Sequence, residues 1–287
     1  MRSILTVDTG GTKTRLVEFR PNANLDDSDS TKITHEVEFP TPRGSGSGST
    51  YVKTLTTIIK KDFPTFYQTD SNCIISLAIR GLVQDGMVSD QLLGWDKFPV
   101  AKEINSSVGA KVLVENDAKA GALGAFSSTF RGRGLFLTLG TGIGGGLVID
   151  GRLSEDLIGM EIGKTIIRKD SDSDPDEWEN FASGAAFHKK HDRGKGIPDD
   201  DSAWQEYAED LATGLMAIIP TIYPGEIIIG GGMSNHFPKF GPALAEILQA
   251  SAWPYIAKVK LSAVNDPHFV TNRGALRLAL NQTETAR

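Results

Sequence analysis

The stretch LFLTLGTGIGGGLVIDG, residues 135–151, has two strand-like apolar runs separated by a glycine-rich turn. Glycine is the residue that loses most backbone entropy on folding, so this density predicts that something approaches the backbone closely. Gly140, Gly142 and Gly145 satisfy the dinucleotide-binding spacing G-x-G-x-x-G, but that fingerprint requires a helix after the turn. GLVID follows instead and is typical of a strand. The stretch therefore predicts a strand–turn–strand unit and excludes a Rossmann site.

A second stretch, DTGGTKTRLVEF at 8–19, repeats the plan of strand, Gly-Thr turn and strand. Its separation from the first is near half the chain, which predicts duplicated domains with a ligand in the cleft between them. Strands alternating with helices elsewhere indicate an α/β architecture. We expect an N-terminal domain at 1–117, with a C-terminal helix at 272–284 packing back on it, and a second domain at 118–271.

Each glycine turn is a candidate phosphate site. Bare backbone N–H groups converge on anions in such turns, and the hydroxyl of Thr141 and the charge of Lys13 would add to them. Asp8, at the end of the strand before the first turn, could reach a water bound to Mg²⁺. The alternatives are two tight hairpins and an aspartate that caps a turn.

A third motif, VENDAKAGALGAF at 114–126, places Asn116 and Asp117 between a predicted strand and a helix of small residues. Ligands of α/β proteins bind at the carboxyl ends of strands, where Asp117 could accept a proton from a substrate hydroxyl that attacks a phosphoryl group. Spacing alone makes a helix N-cap an equal alternative for Asp117.

Composition narrows the functional classes. The chain has 287 residues, a net charge of −6 and one cysteine, Cys73, in an apolar run. The acidic balance argues against a nucleic-acid partner, and a single cysteine excludes both a disulfide framework and a cysteine zinc site. The N-terminus lacks a signal-peptide apolar core, and no apolar stretch approaches transmembrane length. We expect a cytoplasmic protein with no membrane partner.

Taken together, the motifs resemble those of the ROK family (repressors, open reading frames, kinases), within the two-domain actin-like ATPase fold, which is ribonuclease H-like. The resemblance runs through nearly the whole chain, and the segments that carry it are DTGGTK, VENDAKAGALGAF, LTLGTGIGGGLVIDGRL, WENFASG and EIIIGGGMS. It implies two α/β domains closing over a sugar, with ATP and Mg²⁺. Because the chain starts directly at the first strand, without the helix-turn-helix of ROK repressors, we expect the kinase branch. ROK kinases are often dimers, so the resemblance also implies a possible homodimer.

The resemblance also implies roles for particular residues. Asp117 would be the general base on the sugar 6-hydroxyl, and Asp8 would reach Mg²⁺ through water. The remaining implied contacts are the sugar-binding residues Asn116, Asp117, Glu161, Lys164, Glu179 and Gly81, the ATP phosphate-binding residues Gly10, Gly11, Thr12, Lys13, Gly140, Thr141 and Gly142, and the adenosine-side residues Gly231, Gly232 and Met233.

Several positions depart from the family pattern. Lys164 stands where ROK kinases usually carry a zinc-site histidine that also touches the sugar, and the cysteine cluster is absent, so we predict no zinc. Arg80-Gly81 replaces a proline-glycine pair, and Leu92-Leu93 replaces asparagine-leucine, which puts a sugar contact in doubt.

Three functions fit these motifs. The first is an ATP-dependent hexose kinase that transfers the γ-phosphoryl group to the 6-hydroxyl of a sugar, with glucose favoured. The second is a glucokinase that uses polyphosphate as donor. The third is a non-catalytic sugar sensor, against which the retained base and both phosphate turns argue.

Overall fold

The structure is a computed structural model that describes residues 3–19, 33–67, 73–191 and 201–284. It divides into two compact units, the first formed by Met1–Ser127 with Phe269–Arg287 and the second by Ser128–His268. Within the described ranges, no helix combines the length and the apolar character needed to cross a membrane. The polar stretch 22–35 predicts a surface hairpin loop, but residues 22–32 lie outside the described residues and residues 33–35 belong to a strand.

The secondary structure alternates strands and helices along both halves of the chain. The strands are β1 (Ser3–Thr9), β2 (Lys13–Phe19), β3 (Ile33–Pro40), β4 (Cys73–Ile79), β5 (Leu82–Gln84), β6 (Met87–Asp90), β7 (Trp95–Phe98), β8 (Lys111–Asn116), β9 (Arg133–Leu139), β10 (Ile143–Ile149), β11 (Arg152–Leu153), β12 (Ile166–Ile167), β13 (Asp176–Glu177), β14 (Glu226–Gly230) and β15 (Lys260–Ala263). The helices are α1 (Ser47–Asp62), α2 (Val100–Val108), α3 (Asp117–Ala125), α4 (Trp178–Ala182), α5 (Gly184–His191), α6 (Asp201–Ile222), α7 (Phe237–Gln249), α8 (Pro254–Ala257) and α9 (Val270–Glu284).

The first unit is built on a five-stranded sheet in the order β3-β2-β1-β4-β8. β1 pairs antiparallel with β2 and parallel with β4, which in turn is parallel to β8. Every residue of β4 is buried, as expected for a central parallel strand covered on both faces. Ile75 belongs to the core shared with α1 and α2, whereas Ile74 belongs to the core shared with α9.

α3 belongs to the first compact unit, which runs to Ser127, whereas the sequence predicts a domain boundary between residues 117 and 118. A Cβ atom on Gly274 of α9 would lie 1.6 Å from the carbonyl oxygen of Ala120, and one on Gly124 would lie 1.8 Å from that of Val270. Small residues therefore bring the backbones of α3 and α9 into direct contact. This contact joins the chain up to Ser127 to the C-terminal segment from Phe269.

The second unit repeats the strand arrangement of the first. Its sheet has the order β11-β10-β9-β14-β15, with β9 antiparallel to β10 and parallel to β14, and with β14 parallel to β15. Its core contains the long helix α6 and residues of α4 and α7. The α/β class and the duplicated strand–turn–strand plan predicted from the sequence are confirmed.

Candidate functional site

Three strands of the first unit end in register at one edge of its sheet. Thr9 of β1 pairs with Ile79 of β4, and Ile79 pairs with Asn116 of β8. The residues that follow these strands are therefore neighbours at the carboxyl edge, where α/β proteins bind ligands. They include the turn 10–12 and Asp117, both singled out from the sequence.

The turn 10–12 is closed by its own backbone. The N–H of Gly10 donates to the carbonyl of Lys13 at 3.0 Å, and the carbonyl of Thr12 accepts from the N–H of Thr41 at 3.0 Å. Thr12 and Lys13 are exposed. The ammonium of Lys13 donates to the two carboxylate oxygens of Glu38 at 3.0 and 3.3 Å. Lys13 thus already has an anionic partner on β3, which the sequence motif did not indicate.

Glu38 is shared with a second cation, the buried Arg15. Arg15 Nε donates to Glu38 at 2.6 Å and lies 3.1 Å from a carboxylate oxygen of Glu36. The guanidinium of Arg15 also lies over the ring of Phe269, 5.3 Å from its centroid. Hydrogen bonds and charge from Lys13 and Arg15 hold the pKa of the Glu38 carboxyl below its usual value. Sequence reasoning missed this cluster because its members come from separate strands.

Asp8 is the most perturbed carboxyl group at this edge. Burial, followed by repulsion from Asp117, raises its pKa from 3.8 to about 7, although Arg15 and Lys13 act in the opposite direction. A cation close to both carboxylates would favour their charged forms. Asp8 and Asp117 were predicted separately from the sequence, and the first unit brings them into electrostatic contact.

Asn116, not Asp117, is the N-cap of α3. Asn116 Oδ1 accepts from the N–H groups of Ala118 at 3.0 Å and Lys119 at 3.3 Å. Its Nδ2 donates to the carbonyl of Gly81 at 2.9 Å, which fixes the side chain at both ends. Asp117 occupies the first helical position, and its carboxylate accepts from the N–H of Ala118 at 2.8 Å. The N-cap alternative for Asp117 is therefore excluded, because the neighbouring residue Asn116 is the cap.

The glycine turn of the second unit connects β9 to β10. The N–H of Gly140 donates to the carbonyl of Gly142 at 3.0 Å, and the carbonyl of Gly140 accepts from the N–H of Ala185, near the start of α5, at 3.0 Å. Thr141 is exposed. A Cβ atom on Gly140 would meet nothing within 4 Å, so its outer face is open.

Glu179 of α4 is held against this turn. Its Oε2 accepts from the N–H of Ile143 at 3.1 Å, and its Oε1 lies 2.6 Å from the ammonium of Lys164. Cβ atoms on Gly142 and Gly163 would lie 2.5 and 2.8 Å from Oε2 of Glu179. Two of the glycines in this region therefore make room for a carboxylate of the protein itself.

Lys164 joins two glutamates. Its ammonium lies 2.8 Å from Glu177 and 2.6 Å from Glu179, and about half of its side chain is exposed. Hydrogen bonds to Glu177 and then to Glu179 raise the pKa of Lys164 above its usual value, so it stays charged. Glu161 precedes the same 3-10 turn and is exposed, and its carbonyl accepts from the N–H of Lys164 at 3.1 Å.

The segment after β14 approaches the same turn. Gly231 has a φ of 77°, and a Cβ atom there would lie 2.5 Å from the carbonyl of Leu139, so glycine is required. Gly232 is exposed with nothing within 4 Å of its Cβ position, whereas Met233 is buried. The Met233 side chain packs 2.8 Å from the Cβ position of Gly184. The second unit therefore brings together the turn 140–142, Glu179, Lys164 and residues 231–233.

The whole sequence pattern matches a known family. The ROK family matches residues 4–282, so the chain belongs to the ROK family. A glucokinase from Halalkalibacterium halodurans is 30% identical over 169 residues, which are 55% of this chain and 48% of that protein. The chain spans about half the length of the curated relatives it matches.

Solved structures extend the likeness to the whole fold. A ROK family glucokinase from Streptomyces griseus, in complex with glucose and AMPPNP, has a TM-score of 0.75 at 20% identity, covering 96% of this chain and 98% of that one. An inorganic polyphosphate/ATP-glucomannokinase from Arthrobacter sp. strain KM also has a TM-score of 0.75, at 21% identity, covering 98% and 100%. At these identities the likeness establishes the two-domain actin-like fold, as predicted.

Proposed function

We propose that this protein is an ATP-dependent hexose kinase that transfers the γ-phosphoryl group of ATP to the 6-hydroxyl of a sugar, with glucose as the favoured acceptor. The observation that carries the proposal is the common strand edge of the first unit. There the turn 10–12 and Asp117 follow strands that end in register. A phosphate-binding turn beside a carboxylate is the arrangement that phosphoryl transfer to a hydroxyl requires.

Asp117 is the proposed general base. A base must lie within hydrogen-bond reach of the hydroxyl and must be held in one orientation. Asn116 supplies that orientation by capping α3 and binding the carbonyl of Gly81, so the helix start cannot rotate freely. Asp117 then accepts the proton of the 6-hydroxyl as the hydroxyl oxygen bonds to the γ-phosphorus and the bond from that phosphorus to ADP breaks. Asn116 and Gly81 are proposed to lie along the sugar.

The carboxylates of the first unit fit a magnesium ion. Asp8 and Asp117 repel each other, which together with burial raises the pKa of Asp8 to about 7, and a divalent cation would relieve that repulsion. Mg²⁺ prefers few carboxylates together with waters and phosphate oxygens. We propose that Asp8 holds Mg²⁺ through a water, and that the ion, when bound, neutralises charge on the donor phosphates.

Both units contain further residues that we propose as contacts for ATP or for the sugar. For the phosphates of ATP we propose Gly10, Gly11, Thr12 and Lys13 from the first unit and Gly140, Thr141 and Gly142 from the second. Half-buried Gly231 and exposed Gly232, next to buried Met233, are proposed for the adenosine side. Glu161, Lys164 and Glu179 are proposed for the sugar, and the ammonium of Lys164 between two glutamates supports a site without zinc.

The decisive experiment is an ADP-release assay with MgATP and a panel of glucose, mannose, fructose, N-acetylglucosamine and N-acetylmannosamine. We expect sugar-dependent turnover that Asp117→Asn abolishes while sugar binding survives. Asp96→Asn, which removes an exposed carboxylate from β7 of the same unit, is the matched control and should keep wild-type turnover. Retention of more than a tenth of wild-type turnover in Asp117→Asn would contradict the role of the base.

Polyphosphate is the alternative donor. The fold is shared with an enzyme named as a polyphosphate/ATP-glucomannokinase, which motivates a parallel assay with polyphosphate in place of ATP. Turnover with polyphosphate alone would replace ATP as the donor. If no donor supports turnover but sugars raise the melting temperature, the protein is a sugar sensor.

A further inference from the structure

Arg80 is the residue that follows β4 at the strand edge described above. Its backbone N–H donates to the carbonyl of Thr9 at 3.2 Å, which continues the pairing of β4 with β1 by one residue. Arg80 therefore stands between the turn that follows β1 and Asp117, which follows β8. None of the roles assigned so far uses this side chain.

The side chain of Arg80 lies on the glycine turn. A Cβ atom on Gly11 would be 2.8 Å from Nη1 of Arg80 and 2.7 Å from Cδ2 of Leu92. The guanidinium thus contacts the turn at a position that stays open only because residue 11 has no side chain. Leu92, itself exposed, brings apolar surface to the same point.

Asp90 fixes the orientation of the guanidinium. Arg80 Nε donates to Oδ2 of Asp90 at 2.8 Å, and Oδ1 of Asp90 accepts from the N–H of Leu93 at 2.8 Å. The Asp90 side chain is only 7% exposed, whereas that of Arg80 is 27% exposed. Gly81 has a φ of 100°, and a Cβ atom there would strike the carbonyl of Ser89 at 2.6 Å, so β6 packs tightly against the residue that follows Arg80.

We propose that Arg80 binds a phosphate oxygen of the phosphoryl donor. A guanidinium has several N–H donors in a planar fork, so the bond from Nε to Asp90 leaves others for a phosphate. Lys13 has only one ammonium, and Glu38 already engages it twice. A polyanionic donor placed beside Asp8 and Asp117 needs a fixed cation, and Arg80 supplies one already oriented at the turn.

This inference rests on the proposed function, because it assigns a contact to the same donor. If Arg80 only packs between Asp90 and Gly11, its replacement should reduce the stability of the protein without a specific change in donor affinity. The two roles therefore separate in binding measurements on folded protein.

The test is calorimetric titration of the whole chain with the magnesium complex of AMPPNP and, separately, with glucose. We expect Arg80→Ala to weaken AMPPNP binding at least about tenfold, as expected for a lost charge-assisted hydrogen bond, and to leave glucose binding within about twofold. Arg80→Lys should recover part of the loss. Lys53→Ala, which removes an exposed cation from α1, is the charge-matched control and should bind AMPPNP like wild type.

Two further variants keep the test decisive if Arg80→Ala does not fold. Arg80→Gln retains much of the side-chain volume, and Asp90→Asn keeps the guanidinium but weakens the hydrogen bond that orients it, so both should weaken AMPPNP binding more than glucose binding.

Wild-type AMPPNP affinity in folded Arg80 variants overturns the inference, and so does a loss confined to glucose. A wild-type protein that binds AMPPNP but phosphorylates no sugar overturns the kinase proposal alone. A wild-type protein that does not bind AMPPNP overturns both.

Discussion

Replacing Asp8 by asparagine should make the protein more stable at neutral pH, even though the same change should remove its activity. In the folded state, burial and the neighbouring Asp117 raise the pKa of Asp8 from 3.8 to about 7. Folding therefore favours the protonated carboxyl group. Below the unfolded pKa the group is protonated in both states and costs nothing, and the cost of ionising it in place grows as the pH rises towards 7.

The size of this stabilisation follows from the difference between the pKa of Asp8 in the unfolded and in the folded state. At 1.36 kcal/mol per pH unit, the difference between 3.8 and about 7 corresponds to an upper limit of roughly 4 kcal/mol above pH 7. Some of the Asp8 side chain reaches solvent, which screens its charge, so we expect about 2–4 kcal/mol. The asparagine side chain is neutral at every pH and avoids this cost.

The assay is urea unfolding of wild type and Asp8→Asn from pH 4 to pH 8.5, with EDTA present so that no divalent cation stabilises the carboxylate. The free energy of unfolding of the variant should exceed that of wild type at pH 8, and the excess should shrink by about 1–2 kcal/mol at pH 5. Asp96→Asn, at an exposed position of the same unit, should show no such trend. An excess that does not change with pH would refute the reasoning from a buried, repelled carboxylate.

Three other changes test separate parts of the structure. Asp117→Asn should lower kcat by about 10²–10⁴-fold with glucose affinity retained, measured by the ADP-release assay and calorimetry, and retention of more than a tenth of wild-type kcat would contradict its role. Gly274→Ala should destabilise the protein by about 1–3 kcal/mol or more in urea unfolding, because its Cβ would strike the carbonyl of Ala120, whereas Gly225→Ala, with 3.8 Å of clearance, should be tolerated. Lys164→Met should raise the KM for sugar at least about tenfold and leave the KM for ATP unchanged, because Glu179 loses its cation, while an equal rise in both would argue against a sugar-side role. Mass-spectrometric metal analysis of the wild-type protein should find no stoichiometric zinc.

Local pattern was sufficient to predict the two strand–turn–strand units and the class of the fold. Apolar runs such as 73–79 and the glycine turns express preferences over a few residues, and these survive in the folded chain. The start of α1 shows the limit of such reasoning. The sequence predicts a helix here with Ser49 or Thr50 as its N-cap, but the helix begins at Ser47 after Gly46, which has a φ of 76° and makes no side-chain cap. Ser47 instead donates to the carbonyl of Leu93, a tertiary contact that spacing cannot reveal.

The candidate site likewise has features that local sequence patterns predict and features that they do not. Asp8, Asp117 and the two turns were predicted because each lies at a recognisable strand end. What could not be predicted is which atoms are already engaged inside the protein. Lys13 is bound by Glu38, and Arg80 is aimed at Gly11 by Asp90, and each arrangement joins separate strands or loops. Such pairings depend on the register of the sheet and on packing, which a single sequence specifies only through the completed fold.

The glycines of the stretch 135–151 now have two different physical explanations. Gly142 makes room for the carboxylate of Glu179, and Gly145 for the side chain of Ile162, so those positions are small because the protein itself approaches them. Gly140 meets nothing within 4 Å and is the one of these three whose outer face is open to a ligand. Glycine density therefore indicates close approach without saying by what. The packing glycines bring Glu179 to the N–H of Ile143, and in doing so they fix the shape of the turn whose open residue is proposed to receive the phosphate.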